Sequence, residues 1–426
     1  MPSDPREPGH EGSITSQDHA HEDTPKVKNR KPANTAFRQQ RLKAWQPILT
    51  PKTVLPLFFV IGIIFAPIGG LLLYASAQVQ ELIIDYSNCA TQAPDVSYSG
   101  DYDTMSSSLV TSHFKSNSSN PSPATPKWGR RAFTYNYYNN SKVVQSVNAT
   151  QCTLEFTLPN EMKPPVLFYY KLTNFYQNHR RYAKSFNTDQ LSGTAISADS
   201  ADGSDCSPLT STNEKPYYPC GLVANSIFND TFSNPVLLNV PGSSITDQVY
   251  TMKNNSGIAW SSDADLYGTT KYAWADVAVP PNWVEKYGEE YTDDWHIDVV
   301  NDEALHVWMR LAGLPTFSKL AQRNDDDIMV AGTYRLNITM LFPVTEYGGT
   351  KSVLISTRTV MGGKNSFLGI AYVVVAGLCV LLGTVFLVTH LIKPRKLGDH
   401  TYLSWNNEAP SQAAGGREGA GGDDHR

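Results

Sequence analysis

VLPLFFVIGIIFAPIGGLLLYASA (residues 54–77) and FLGIAYVVVAGLCVLLGTVFLVTHLI (residues 367–392) are apolar runs without a single Asp, Glu, Lys or Arg. At about 1.5 Å of helical rise per residue each reaches about 36–39 Å, enough to cross a hydrocarbon core of about 30 Å with some tilt. They predict a membrane protein with two transmembrane α-helices. Residues 78–366, between them, are far too many for a linker and must fold as a domain on one side of the membrane.

Basic residues near a span stay in the cytoplasm. Lys26, Lys28, Arg30, Lys31, Arg38, Arg41, Lys43 and Lys52 precede the first run, and Lys393, Arg395 and Lys396 follow the second. Both termini are therefore expected to be cytoplasmic. The first run starts past residue 50, is too long for the core of a cleaved signal peptide and follows a polar tail, so it reads as an uncleaved signal anchor.

The central region is then expected to be lumenal or extracellular, and two features agree. Glycosylation acceptors of the form Asn-x-Ser/Thr stand at Asn117, Asn139, Asn148, Asn229, Asn254 and Asn337, all between the spans and none in the tails. N-linked glycans are the only attached groups expected; no cofactor is. Four of the five cysteines, Cys89, Cys152, Cys206 and Cys220, lie in the same region, an even number that suits two disulfides. Four cysteines allow three pairings, and sequence does not choose among them; 89–152 with 206–220 is favoured, the second closing a loop worth about 3 kcal/mol by chain entropy. Without a Cys-x-x-Cys spacing, metal or redox use is disfavoured. Cys379, in mid-span, reads as a small apolar packing residue.

Composition divides the chain further. Residues 1–36 are polar and poor in large apolar side chains, and the segment after Trp405 is rich in Gly, Ala and acid, so both are expected to be disordered. Residues 37–53 form a basic juxtamembrane segment in which Phe37, Leu42 and Trp45 interleave with Arg38, Arg41 and Lys43, suiting contact with anionic lipids. Residues 393–426 are the second tail. A net charge of −5 is too mild to suggest nucleic-acid binding.

Within 78–366 the patterning favours strands. Cys152, Leu154, Phe156 and Leu158 alternate with Thr153, Glu155 and Thr157, and Tyr334, Leu336, Ile338 and Met340 alternate with Arg335, Asn337 and Thr339, which puts Asn337 on an outward face. Residues 166–172, 235–240 and 351–360 are further candidates. Gly, Pro, Asn and Ser clusters separate them, so the region is expected to be an antiparallel β-sandwich-like, β-rich domain with long loops. Residues 304–314 fit helix or strand.

No catalytic set stands out. Asp293, Asp294, His296 and Asp298 are a compact acid/His cluster, but without a second His or an EF-hand spacing a hydrated loop is the better reading. Asp325, Asp326 and Asp327 read as a solvated turn. His179, Arg180 and Arg181 suit salt bridging and packing better than an anion site. Neither a Gly-x-Ser-x-Gly elbow, nor a P-loop, nor the Asp-Lys-Thr-Gly of a transport ATPase occurs. In the first span Gly62, Ala66 and Gly70 recur every four residues, a small-residue face for packing against another helix, and Pro67 is expected to bend that helix or free a carbonyl. No mid-span charge marks an ion path.

Several longer blocks carry a resemblance. Asn174-Phe-Tyr-Gln-Asn-His-Arg-Arg-Tyr182, Pro219-Cys-Gly-Leu-Val-Ala-Asn-Ser-Ile-Phe-Asn-Asp230, Gly257-Ile-Ala-Trp260, Val307-Trp-Met-Arg-Leu-Ala312 and Gly362-Gly-Lys-Asn365 with Leu368-Gly-Ile-Ala-Tyr372 stand in order between the spans and into the second. With the pre-membrane Phe37-Arg-Gln-Gln-Arg-Leu-Lys-Ala-Trp-Gln-Pro47, which has a fungal flavour, the chain resembles the cell-division-control-protein-50 family, also called ligand-effect modulators. The resemblance covers everything but the two tails. It implies a non-catalytic accessory (β) subunit of a type-IV P-type ATPase, whose large chain hydrolyses ATP and moves phospholipid to the cytoplasmic leaflet. It implies export of the pair from the endoplasmic reticulum and residence there, in Golgi or endosomal membranes, or at the plasma membrane. It also implies a disulfide with the spacing of Cys206 and Cys220, while the first bridge varies between branches of the family. The rival readings are a cell-surface adhesion or receptor ectodomain and a lumenal ectoenzyme.

Overall fold

The computed structural model describes residues 35–42, 50–97, 101–115, 124–238, 247–359 and 362–394. The sequon at Asn117, most of both tails and the end of the juxtamembrane segment around Trp45 lie outside the described residues. Residues 56–392 form one unit, and the flanking residues another.

Both apolar runs are helices, Pro51–Gln78 and Phe367–Ile392, each long and apolar enough to span a bilayer. The first begins three residues before the run itself and continues unbroken through Pro56 and Pro67. Most of their apolar side chains face outward, which water would penalise and lipid does not.

The region between them is β-rich and antiparallel, as the alternation predicts. One sheet has five strands in the order Phe317–Asn324, Val166–Leu172, Lys351–Thr357, Glu81–Asp85, Val110–His113; the other has seven, built around Gly332–Met340, Lys142–Leu158 and Lys127–Asn139. Their inner faces meet in one core. Leu82, Ile84, Phe168, Val353 and Ile355 come from the first sheet, and Leu154, Phe156, Tyr334, Leu336 and Ile338 from the second. The predicted alternations are those inward rows. The candidate at 351–360 forms strand over Lys351–Thr357, and that at 235–240 over Val236–Leu238.

The long excursion between the sheets, residues 173–316, is mostly loops and short helices. It builds a second core from Tyr218, Trp283, Tyr287, Tyr291, Ile297 and Leu305. Tyr170, Leu172, Val223, Trp308 and Phe342 join this layer to the five-stranded sheet. The ambiguous segment resolves as the helix Glu303–Met309, whose N-cap Asp302 accepts the Leu305 N–H at 3.0 Å.

Both spans reach the same end of the five-stranded sheet. Glu81–Asp85 pairs with Lys351–Thr357, Glu81 opposite Ser356. The Thr357 N–H donates to Gln80 O at 3.0 Å and the Gln80 N–H donates to Thr357 Oγ1 at 3.0 Å. Thr357 therefore lies beside a residue only two positions past the first span.

Candidate functional site

The two spans pack through small residues spaced by seven. Gly62, Gly69 and Ser76 are the buried positions of the first, and Gly369, Ala376 and Gly383 those of the second. A methyl group added at Gly62 would come within 2.6 Å of Val380 Cγ2, and one at Gly69 within 3.0 Å of Gly369 O. Ser76 and Ser366 hydroxyls are 3.3 Å apart, and the Asn365 N–H donates to Ser76 Oγ at 3.1 Å.

The face expected to meet another helix is shared only in part with this seam. Of Gly62, Ala66 and Gly70, only Gly62 lies in the seam; Ala66 is exposed, and a methyl group at Gly70 would have nothing within 4 Å. A four-residue step advances about 400° around a helix, drifting off a seam that a seven-residue step follows far more closely. Gly70 stays on the outside of the pair, and Ala66 borders an open groove with Val373, Ala376 and Val380 of the second span.

Two disulfides hold the domain. Cys89 is joined to Cys152, with Cα atoms 6.0 Å apart, tying the turn after the first strand to the long central strand of the other sheet. Cys206 is joined to Cys220 at 5.6 Å, clasping the loop layer. Cys379 is a free cysteine within the second span.

The longest family-like block is mostly structural. Phe175 packs against the rings of Tyr182, Trp308, Phe317, Phe342 and Tyr347. Gln177 is fully buried and accepts the Ala312 N–H at 2.8 Å, while Asn174 and Asn178 donate to Tyr347 O and Gly313 O. Its other members face out. Tyr176, His179, Arg180 and Arg181 are exposed, and none of these three basic residues has the expected salt bridge among the described residues.

One charged group at the centre escaped the sequence reading. Lys351 Nζ lies 2.7 Å from Asp230 Oδ2, with side chains 3% and 0% exposed. Tyr86 donates to the same oxygen at 2.9 Å, and the Leu341 and Phe342 N–H groups donate to Asp230 Oδ1 at 2.6 Å each. Burial, and then the Asp230 charge, push the Tyr86 hydroxyl well above its ordinary pKa. Asp230 ends the Pro219–Asp230 block and its partner lies in the last strand, so no local pattern announces the pair. Glu303 is a second case. Its carboxylate accepts from Gly257, Ile258 and Ala259 N–H at 2.9, 2.7 and 3.0 Å, fixing the Gly257–Trp260 block.

The catalytic candidates do not assemble. Asp298 binds Val300 and Asn301 backbone N–H and the Asn301 amide; His296 stacks on Trp274 with ring centroids 4.0 Å apart. Asp325 pairs with Arg323 and Asp326 with Lys253. Among the described residues no three His, Cys, Asp or Glu side chains converge as metal ligands. Of the described sequons, Asn148 and Asn254 are exposed. Asn337 lies on the outer face, as expected, its Oδ1 accepting from Thr153 Oγ1 at 2.8 Å. Asn139, at a hairpin turn, donates to Asp294 O, and Asn229 keeps a buried Oδ1 without a partner.

Two helices closed on each other beside a disulfide-tied double-sheet domain define a two-span membrane protein with one large β-rich domain. The model of the ligand-effect modulator 3 (LEM3)/CDC50 family matches residues 72–396. The chain is 41% identical to the phospholipid-transporting ATPase accessory subunit CDC50 of Chaetomium thermophilum, over 96% of this chain and 97% of that one. It is 39% identical to the accessory subunit CRF1 of Saccharomyces cerevisiae, over 89% and 90%, and 36% identical to mouse cell cycle control protein 50A, over 90% and 93%. The chain belongs to the LEM3/CDC50 family.

Proposed function

We propose that this chain is the non-catalytic accessory subunit of a phospholipid-transporting type-IV P-type ATPase, paired with it as a heterodimer. The observation that carries the reading is family membership along nearly the whole length, shared with relatives named as accessory subunits. The physical picture supports it. The spans satisfy their small-residue seam within the chain, leaving outer faces such as that bearing Ala66 and Gly70 for helices of a larger protein. The exposed Tyr176, His179, Arg180 and Arg181 offer an aromatic and cationic surface to acidic loops on the same side.

In this reading the middle of the chain is lumenal, both tails are cytoplasmic and the sequons carry N-linked glycans. ATP hydrolysis belongs to the larger chain. The accessory chain is needed for its folding, its export from the endoplasmic reticulum and lipid flipping toward the cytoplasmic leaflet, stabilising pump states by contacts that differ between them. Co-purification in mild detergent with mass-spectrometric identification of the bound chain tests this, and a large P-type ATPase in near-equal amount is expected. Normal export of this chain alone, in cells lacking every such ATPase, would refute it.

A further inference from the structure

On the outer face of the five-stranded sheet is a cleft of about 470 Å³ lined by Tyr169, Trp260, Arg310, Lys319, Arg323 and Arg358, among others. Three guanidinium groups stand there, two of them each paired with one carboxylate. Arg310 stacks on Trp260 at 4.1 Å and lies 3.4 Å from Asp263; Arg323 binds Asp325 at 2.6 Å and donates to Gly257 O at 2.6 Å. Lys319 spends its amine on the carbonyls of Val307, Trp308 and Arg310, and burial, then the Arg310 charge, bring its pKa down to about 7, so it adds neither a full charge nor a free donor. Arg358 is exposed and makes no hydrogen bond or ion pair with any described residue. Its charge, with that of Arg323, reaches both Tyr169 and Asp325.

The cleft's height is set by the strand register. Arg358 follows Thr357, which is bonded to Gln80 beside the end of the first span, and eight residues separate it from Phe367. Arg323 and Ser356 both pair with Leu167, so Arg323 lies about two residues farther from the membrane. The register therefore puts the mouth of the cleft within a few residues of the end of the first span, the height at which headgroups lie if that span crosses a bilayer, and its far wall is an exposed Trp with a stacked guanidinium.

We infer that this cleft binds the phosphate of a membrane phospholipid from the leaflet on the ectodomain's side, with Arg358 and the spare N–H groups of Arg310 as donors and Trp260 beside the headgroup. Guanidinium groups hold phosphate by paired, charge-assisted hydrogen bonds, and basic pockets next to spans select lipid headgroups. The step is binding only, with no bond made or broken. It deepens the proposed function by giving the accessory chain its own lipid contact, and depends on that reading only for which leaflet is meant.

The test uses the full-length chain in phosphatidylcholine nanodiscs carrying a phosphatidylserine probe with a photoreactive headgroup, with cross-links mapped by mass spectrometry. Cross-links to the peptides containing Trp260 and Arg358 are expected, falling about tenfold in Arg358→Gln, the loss of one charge-assisted contact, and recovering in Arg358→Lys. Arg358 is exposed and unpaired among the described residues, so folding is not at stake, and Arg358→Gln should still co-purify with the ATPase. Unchanged labelling in Arg358→Gln overturns the inference. So does erasure of labelling by inorganic phosphate, which would make free anion the ligand, or by bound ATPase, which would make the cleft a protein contact. Failure of co-purification with labelling intact would sink the proposed function and leave the lipid site standing.

Discussion

Lys351 and Asp230 show why a buried charge is safe only in company. With its carboxylate fully buried and bonded to an ammonium, a phenol and two backbone N–H groups, Asp230 is left in the core without its counter-charge in Lys351→Met. A loss of about 3–5 kcal/mol is expected, read as a lowered thermal midpoint of the purified chain in detergent. Glu303 gives a pH signature. Burial alone would raise its pKa, but the Ala259, Gly257 and Ile258 N–H groups outweigh that and hold the carboxyl below its ordinary 4.5. A folded pKa below the unfolded one means stability that is present above about pH 4.5 and disappears as pH falls through the lower, folded value. Glu303→Gln should thus lower the thermal midpoint at neutral pH, and the gap to the natural chain should close in acid. Neither residue was legible in the sequence, because each acts on partners more than forty positions away and sequence patterning reports only neighbours.

The elements were more legible than the sites. Strands announced themselves wherever one face is core and the other is water, as in Cys152–Leu158 and Tyr334–Met340, since that contrast writes a period of two into the chain. Where a strand has no such contrast the pattern fails: Lys127–Asn139 and the first half of Lys142–Leu158 form a long hairpin whose two faces are both largely open, and it went unread. Inside the spans every position is apolar, so hydropathy gives the helices but not their rotation, and the seven-residue seam of this pair is not distinguishable in sequence from the four-residue face of Gly62, Ala66 and Gly70. Gly69→Leu should push the spans apart and Gly70→Leu should not. Ser76→Cys with Ser366→Cys reports the difference by oxidative cross-linking, expected to proceed in the Gly70→Leu background and to fail in the Gly69→Leu one. The disulfides act at the same scale. Cys206→Ser releases a loop of about 15 residues and is expected to cost about 3 kcal/mol, and Cys89→Ser, with its longer loop, about 4 kcal/mol, measured as unfolding under non-reducing conditions.

Across the whole molecule, the two-span plan was legible in two lines of sequence, while the aromatic loop layer of residues 173–316 was not, because its core is assembled from single residues scattered over short turns. Sidedness gives the last prediction: in sealed vesicles with cytoplasmic faces outward, protease should trim both tails and leave residues 78–366 intact until detergent is added. Because the strands that follow the first span and precede the second are hydrogen-bonded neighbours, the helices can part no farther than the nine residues between Thr357 and Phe367 reach unless the sheet unzips from its membrane end. Leverage follows. A larger protein that tilts this pair of rods swings the entire headpiece with them, much as turning a key turns its bow.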